Sequence, residues 1–197
     1  MGPTDEDLVA AFQQGDAAAF DELVSRWDRK IHGAIYRVVG RDEDARDLCQ
    51  EAFLKAYRGL GSFKREARFS SWLYQIAINV CRDRWRRRRG KVAVSLDEME
   101  EGPGGPLRTA GPSPLELVEA RDIRRQVEMA MANLSADERE VVILKEYQDL
   151  TFPEIAEVLD VPLSTVKTRL YRGLAQLRHQ LESQGVRGVA AVAASTR

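Results

Sequence analysis

Residues 91–114 divide the chain of 197 residues into two parts. The segment contains four of the seven prolines and four glycines, and its apolar residues follow no helical or strand-like spacing. Such a composition buries too little apolar surface to offset the entropy lost on ordering, so we expect a flexible linker. Fully extended, the segment would span about 80 Å, at about 3.3–3.6 Å per residue. The chain is therefore predicted to form two modules, residues 1–90 and 115–182, that reach separate sites.

Both modules are predicted to be α-helical. In the first, apolar residues recur every three or four positions over residues 17–39, 43–60 and 70–87, with a polar loop between the last two segments. The second shows this period over residues 115–133 and 137–147, and two further helices follow. Because strand signals are absent, the predicted fold is all-α with two helical domains. Residues 183–197 are expected to be disordered, with a short partner-binding helix as the alternative.

Charge is unevenly distributed, although the formal net charge is only -1. Residues 1–51 carry six basic and twelve acidic side chains, whereas residues 64–91 carry ten basic and two acidic ones. Residues 164–178 contain four basic side chains and no acidic one. Two positive stretches that lie far apart in the sequence predict two contacts with one polyanion, as in a nucleic-acid-binding protein.

The sequence offers no sign of catalysis, of a metal site or of a cofactor. Cys49 and Cys81 lie in separate predicted helices, and His32 and His179 have no partners at metal-ligand spacing. Glycine-rich phosphate loops, nucleophile elbows and paired carboxylates are also missing. No stretch approaches the roughly 18 apolar residues of a membrane span, and the acidic N-terminus is unlike a secretion signal. We therefore expect a cytoplasmic protein without membrane insertion.

The second module ends with the spacing of a helix-turn-helix. Thr151 and Glu154 form a capping box, Asp160 and Val161 form the turn, and Pro162 opens the next helix. Apolar residues on one side of that last helix leave a polar face for the major groove. The predicted DNA-contacting residues are Ser164, Thr165, Lys167, Thr168, Arg169 and Arg172. The alternative is a surface helix with ordinary solvated charges.

A helix-turn-helix occurs in many kinds of protein, so the first module must discriminate among them. Its pattern Asp-x-x-Gln-Glu-x-Phe places Asp47, Gln50 and Glu51 outward on successive turns, which taken alone is a solvated polar face. The pattern resembles region 2.2 of the extracytoplasmic-function sigma factors, which grips the coiled coil of the RNA polymerase beta-prime subunit. By this resemblance, the residues that bind core polymerase are Asp47, Gln50, Glu51, Phe53 and Leu54.

The next segment, Phe69-Ser-Ser-Trp-Leu-Tyr-Gln-Ile-Ala-Ile-Asn-Val-Cys-Arg-Asp-Arg-Trp85, resembles regions 2.3 and 2.4 of the same family. These regions melt promoter DNA and read the minus-ten element. Capture of an unstacked base requires aromatic or arginine planes beside a phosphate-binding surface, and this segment supplies both. The resemblance implies minus-ten contacts by Phe63, Lys64, Arg68, Phe69, Trp72, Asn79, Arg82 and Arg86. Residues 164–172 likewise resemble the region 4 helix that reads the minus-thirty-five element.

The resemblance also implies a set of partners. An alternative sigma factor of this kind would bind core RNA polymerase through the beta-prime coiled coil with region 2 and through the beta flap with region 4. It would bind promoter DNA both as duplex and as the melted non-template strand, at the nucleoid. Small regulatory sigma factors are often held inactive by an anti-sigma factor, and we expect one here.

Several alternatives stay open from the sequence alone. Trp72, Tyr74 and Trp85 are at helical spacing, which is also typical of core aromatic residues, and for Tyr74 neither role is favoured. The arginines at positions 86–89 could follow phosphates or form a solvated helix end. A repressor would need a dimerisation or ligand-sensing domain, and a pure adaptor protein would lack base-reading residues on its last helix.

Overall fold

A computed structural model describes residues 2–64, 68–92 and 114–184. Within these ranges all regular secondary structure is helical, which confirms the all-α prediction. The helices are α1 (Asp5–Gln13), α2 (Ala18–Val39), α3 (Asp42–Leu60), α4 (Phe69–Val92), α5 (Pro114–Ala132), α6 (Ala136–Glu146), α7 (Phe152–Leu159) and α8 (Leu163–Ser183).

Helices α1 to α4 form the first module around a shared apolar core. Helix α2 has one strongly apolar face, on which Leu23, Ile31 and Ile35 are almost fully buried against α3 and α4. It ends where Gly40 adopts a left-handed conformation with φ of 78°, which glycine adopts without steric cost. Helix α1 was not predicted from the sequence. Its capping box, in which Thr4 and Asp7 satisfy each other's backbone N–H groups, fixes the start of this nine-residue helix.

Helices α5 to α8 form the second module. The capping box of Ser135 and Glu138 starts α6, and that of Thr151 and Glu154 starts α7, as the sequence indicates. Between α7 and α8, Asp160 adopts a left-handed conformation with φ of 53° and ends α7. This turn gives the helix-turn-helix its change of direction.

The bounds of the predicted linker and tail need small corrections. Helix α4 continues to Val92, because the run of arginines has a good helix propensity, and α5 begins at Pro114, which suits a first helical position. Residues 93–113, the rest of the predicted linker, lie outside the described residues. The predicted tail begins inside α8, which ends at Ser183, and residues 185–197 also lie outside the described residues.

The two modules pack against each other. Helix α4 of the first lies along α7 of the second, and α2 lies against α6. Helices α4 and α7 both carry or adjoin residues that the sequence assigns to DNA binding, so this contact bears directly on the functional surfaces.

Candidate polymerase and nucleic-acid interfaces

The outward face of α3 borders a groove between α2 and α3. Asp47 and Gln50 are exposed, and Leu54 keeps 49% of its surface exposed beside the half-buried Phe53. The groove has a volume of about 650 Å³, and its lining includes Gln50, Phe53 and Leu54. Apolar side chains at such an edge, flanked by polar ones, are typical of a protein-binding surface.

Two further features of this face were not predicted. Tyr57, which is 47% exposed and also lines the groove, packs edge-on against Phe12 and Phe20, with ring centroids 5.3 and 5.1 Å apart. Its position one turn beyond Phe53 was the signal available in the sequence. Glu51, which the sequence assigns to polymerase binding, is not among the residues that line the groove, and it forms an ion pair of 3.0 Å with Lys55.

The loop after α3 carries an aromatic cluster. Phe63 is half-buried, with its ring centroid 4.8 Å from that of Trp72 and 6.4 Å from that of Phe69. Phe69 is only 1% exposed and also contacts Trp27 edge-on. The prediction that the ring of Phe69 contacts DNA is therefore corrected, because the ring lies in the core and supports the loop from beneath. Lys64 is exposed next to Phe63.

The start of the same loop is held by a side chain of α1. The Gln13 amide nitrogen Nε2 donates hydrogen bonds to the carbonyl oxygens of Leu60, at 3.0 Å, and Phe63, at 2.9 Å. These carbonyl groups lie at and beyond the end of α3, where no further helical turn follows and only that of Leu60 also accepts from a backbone N–H, that of Phe63. Sequence reasoning missed Gln13 because a lone glutamine 50 positions away gives no local signal.

One face of α4 places Trp72, Asn79 and Arg86 at helical spacing. Trp72 is half-buried, whereas Asn79 and Arg86 are exposed, and Arg86 forms an ion pair with Asp83 at 2.7 Å. Arg82 and Arg84 of α4 contact different modules. Arg84 binds the nearly buried Asp44 of α3 at 2.6 Å, so it serves the packing of the first module.

Arg82 is bound by the second module. Its Nε and Nη2 donate to the two carboxylate oxygens of Glu140 on α6, at 3.1 and 2.6 Å. Burial raises the pKa of Glu140, and the paired Arg82 opposes this shift. Contact between Arg82 and DNA phosphates is therefore blocked in this arrangement, because the guanidinium fork is already occupied.

Two more polar contacts join α4 and its preceding loop to the second module. Arg68 donates to a carboxylate oxygen of Glu154 at 2.9 Å, and the Tyr74 hydroxyl donates to Gln148 Oε1 at 2.5 Å. Tyr74 is buried, and burial, aided by the negative charge of Asp149, raises its pKa. The open question about Tyr74 is thus resolved in favour of a packing role at the contact between modules.

Trp85 also lies at this contact, where the guanidinium carbon of Arg139 on α6 stands 5.7 Å from the centre of its ring. Such a position gives a cation–π attraction. Arg37 of α2 is placed similarly over the ring of Tyr147, at 4.3 Å.

Most of the residues on α8 that the sequence assigns to DNA are exposed. Ser164, Lys167, Thr168 and Arg172 are exposed, and Thr165 is half-buried. Tyr171, which was not predicted, is 56% exposed beside Arg172, and an exposed aromatic residue on a basic helix is the signal that could have found it.

Arg169 differs from its neighbours on α8, because it forms an ion pair with Asp137 in the first turn of α6. This pair ties two helices of the second module together. The DNA contact of Arg169 stays a prediction, and it requires this ion pair with Asp137 to open.

Comparison with known proteins identifies both modules. The model of sigma-70 region 2 matches residues 23–91, and that of sigma-70 region 4 matches residues 124–177. The ECF RNA polymerase sigma-E factor of Haemophilus influenzae is 34% identical over 183 residues, which cover 91% of this chain and 96% of that protein. The chain belongs to the ECF sigma factors. It is an alternative sigma factor, which directs promoter-specific initiation of transcription.

Other sigma factors and solved structures extend the comparison. The ECF sigma factor SigW of Bacillus subtilis is 35% identical, over 88% of this sigma factor and 94% of SigW. The structure of CnrH in complex with the cytosolic domain of CnrY is 26% identical, with a TM-score of 0.68 over 91% of this sigma factor and 97% of CnrH. The sigma factor RpoE of Bartonella quintana, solved with the anti-sigma factor NepR, shares the fold at a TM-score of 0.66, 21% identity, and coverage of 83% and 96%.

In the described ranges, no helix combines the length and apolar character that a membrane-spanning segment requires. Across the same residues, no group of three His, Cys, Asp or Glu side chains is placed to hold a metal ion.

Proposed function

We propose that this sigma factor docks on the coiled coil of the polymerase beta-prime subunit through the outward face of α3. The observation that carries the proposal is the exposure of Asp47, Gln50 and Leu54 at the edge of the groove. Burial of the exposed half of Leu54 would contribute about 1 kcal/mol to docking. The polar side chains beside it supply hydrogen bonds that fix the orientation of the partner helix.

In the same proposal, the aromatic loop and α4 capture the melted non-template strand of the minus-ten element. Phe63 and Trp72 offer ring surface for stacking, and Asn79 offers hydrogen-bonding edges on the exposed face of α4. Lys64, Arg68, Arg82 and Arg86 supply positive charge for phosphates once the two modules separate. We assign Phe69 a supporting role beneath the loop.

Region 4 reads the minus-thirty-five element through α8. The exposed residues of this helix lie at the N-terminal half of the second helix of a helix-turn-helix, which enters the major groove in such motifs. Lys167 and Arg172 suit guanine edges or phosphates, and Ser164, Thr165 and Thr168 suit either. The beta flap of the polymerase is the expected partner of the rest of region 4.

Regulation by an anti-sigma factor belongs to the same proposal. CnrH was solved with the cytosolic domain of another protein bound, and the groove beside α3 would suit a second protein helix. A sigma factor so regulated would act in the cytoplasm and, within holoenzyme, at the nucleoid.

Reconstitution with core polymerase tests the proposal. We expect Gln50→Ala to weaken core binding by about tenfold, that is about 1.4 kcal/mol, through lost interface contacts. Gln14→Ala, an exposed glutamine at the end of α1, is the matched control and should bind core as the wild type does. Arg172→Ala should leave core binding intact but weaken promoter use by about 1–3 kcal/mol if its contact is bidentate.

Three results would contradict parts of the proposal. If the wild-type chain binds duplex DNA unaided, and neither comigrates with core polymerase nor directs initiation, the docking proposal is wrong. Unchanged core affinity of Gln50→Ala would remove α3 from the docking surface, and unchanged promoter preference of Arg172→Ala would limit that residue to phosphate contact.

A further inference from the structure

Two arginines assigned to minus-ten DNA are held by carboxylates of region 4. Arg82 forms a two-pronged ion pair with Glu140, and Arg68 forms a single contact with Glu154 at the start of the helix-turn-helix. Two of the positive charges of region 2 that we assign to DNA thus contact region 4 in this structure.

The Arg82–Glu140 pair has the geometry of a phosphate contact. A guanidinium fork recognises a carboxylate and a phosphate through the same pair of parallel N–H···O bonds. Glu140 is only 2% exposed, so its carboxylate lies within the contact between the modules and not at its edge. No phosphate can reach the fork of Arg82 while this pair is intact.

The packed arrangement also places the two predicted DNA-binding surfaces too close together to contact both promoter elements at once. The contact between Arg68 and Glu154 joins the minus-ten loop directly to the first turn of α7, the first helix of the helix-turn-helix. Recognition sites read by separate modules lie at least one turn of DNA apart, about 34 Å. Simultaneous reading of both promoter elements therefore requires this contact to break.

We propose that region 4 is an intramolecular competitor of minus-ten DNA, in which Glu140 and Glu154 stand in for backbone phosphates on Arg82 and Arg68. This inference rests on the assignment of these two arginines to DNA under the proposed function. In the packed form the sigma factor is closed to promoter DNA. Binding of polymerase to both modules separates them and frees the two guanidinium groups from their carboxylates, because only the open form fits both partners.

The polar part of the contact suits reversible opening. Its carboxylates, arginines, hydroxyl and amide regain hydrogen bonds from water on separation, so this part costs less to open than an apolar interface of equal area. Loss of one partner alone has a different effect, because it leaves a charge in the contact without compensation. Glu140→Gln is therefore expected to shift the population towards the open form.

Small-angle X-ray scattering of the free, full-length chain tests the closure. We expect the radius of gyration to rise by several ångströms in Glu140→Gln. Gln148→Ala removes the acceptor of the Tyr74 hydroxyl and should give a rise in the same direction without touching any charge. Glu157→Gln, an exposed glutamate on α7, is the matched control and should scatter as the wild type does. Equal radii in all four proteins would overturn the closure.

Binding of single-stranded DNA tests the masking. The probe is a fluorescein-labelled non-template strand that carries the minus-ten element of a promoter obtained by run-off transcription selection. If about 90% of the free chain is closed, opening raises the apparent affinity by about tenfold. We expect this rise in fluorescence anisotropy titrations of Glu140→Gln and Gln148→Ala, and none in Glu157→Gln. A more open chain with unchanged affinity would overturn the masking.

One more variant separates this inference from the proposed function. If holoenzyme that contains Arg82→Ala together with Arg68→Ala melts the promoter as the wild type does, the arginines have no role on DNA, and both the assignment and the masking are wrong. If those substitutions impair melting but the scattering of Glu140→Gln is unchanged, the assignment stands and the closure is wrong.

Discussion

Gln13 illustrates how a single side chain can organise a functional loop from a distance. Its amide group bridges the carbonyl oxygens of Leu60 and Phe63, so it connects α1 to the place where α3 ends and the aromatic loop begins. The match to sigma-70 region 2 starts at residue 23, beyond α1. Residues before the matched range therefore help to shape the loop that we propose contacts the minus-ten element.

Removal of this bridge should impair promoter melting more than polymerase binding. We expect Gln13→Ala to remove a donor from two carbonyl groups, of which that of Leu60 keeps the backbone N–H of Phe63, and to cost about 1 kcal/mol per hydrogen bond. Gln13→Glu, similar in shape but without a donor, should have at least the same effect. Permanganate reactivity of promoter thymines reports melting, and core affinity reports docking. Gln14→Ala is the control, and normal melting by Gln13→Glu would refute the positioning role.

The two cysteines make a second prediction at this scale. Burial raises the pKa of Cys49 and of Cys81 to about 12, with help from Asp28 and Glu140 respectively. Only the thiolate reacts with alkylating agents, so native chain at pH about 8 should resist iodoacetamide while a free peptide thiol reacts. Mass spectrometry should show two modified thiols after unfolding in guanidinium. Rapid labelling of the native chain would contradict the burial of these residues.

At the level of helices, regular patterns were predictable and long-range partners were not. The apolar period located α2, α3 and most of α4, since each buries one face over five or more turns. Helix α1 was missed because nine residues hold too few apolar positions to define a period. Periodicity also cannot distinguish Phe69, which lies in the core, from its partly exposed neighbour Trp72.

The capping box of α7 gives the fold a dependence on pH. Hydrogen bonds from the side chain and backbone of Thr151 lower the pKa of Glu154 below its ordinary value of 4.5, and Arg68 adds to the effect. Because the folded-state pKa is the lower one, the stabilisation is complete above about pH 4.5 and is lost as the pH falls through the folded-state value.

Glu154→Gln keeps a capping side chain but removes the ionisation. We expect its urea unfolding midpoint to lie below that of the wild type at neutral pH and to converge with it towards about pH 3. The unfolding midpoint of Glu157→Gln, a substitution on the same helix, should change with pH as that of the wild type does. A constant difference between wild type and Glu154→Gln at every pH would show that the carboxylate does not titrate in the cap.

At the level of the whole molecule, Arg139 is a residue that binds backbone groups of both modules. Its guanidinium donates to the carbonyl oxygens of Met131, Ala132 and Leu134 around the end of α5 and, at 3.2 Å, to that of Val38 at the end of α2. It therefore satisfies helix ends in both modules. None of these backbone partners is visible in the sequence, whose motifs specify each module but not their arrangement.

Arg139→Ala should destabilise region 4 by about 2–3 kcal/mol, because four carbonyl groups, three of them in partly buried hydrogen bonds, lose a charged donor. Urea unfolding followed by circular dichroism measures this effect. Arg139→Lys should recover part of the loss, since one ammonium group satisfies fewer of the carbonyl groups. The control is Arg178→Ala, which breaks only an exposed pair with Glu182 and should leave the midpoint unchanged. Equal midpoints for Arg139→Ala and Arg178→Ala would contradict the bridging role.

The ion pair between Arg82 and Glu140 also constrains how this protein can evolve. Its members are 58 positions apart, on modules with separate tasks, so a change at one position alters the conditions for selection at the other. A chimera that borrows region 4 from another sigma factor would keep its own region 2 but would place that protein's residue opposite Arg82. Where that residue cannot pair with Arg82, the closed form that we propose would be less populated, so an exchange of modules would change regulation together with promoter choice.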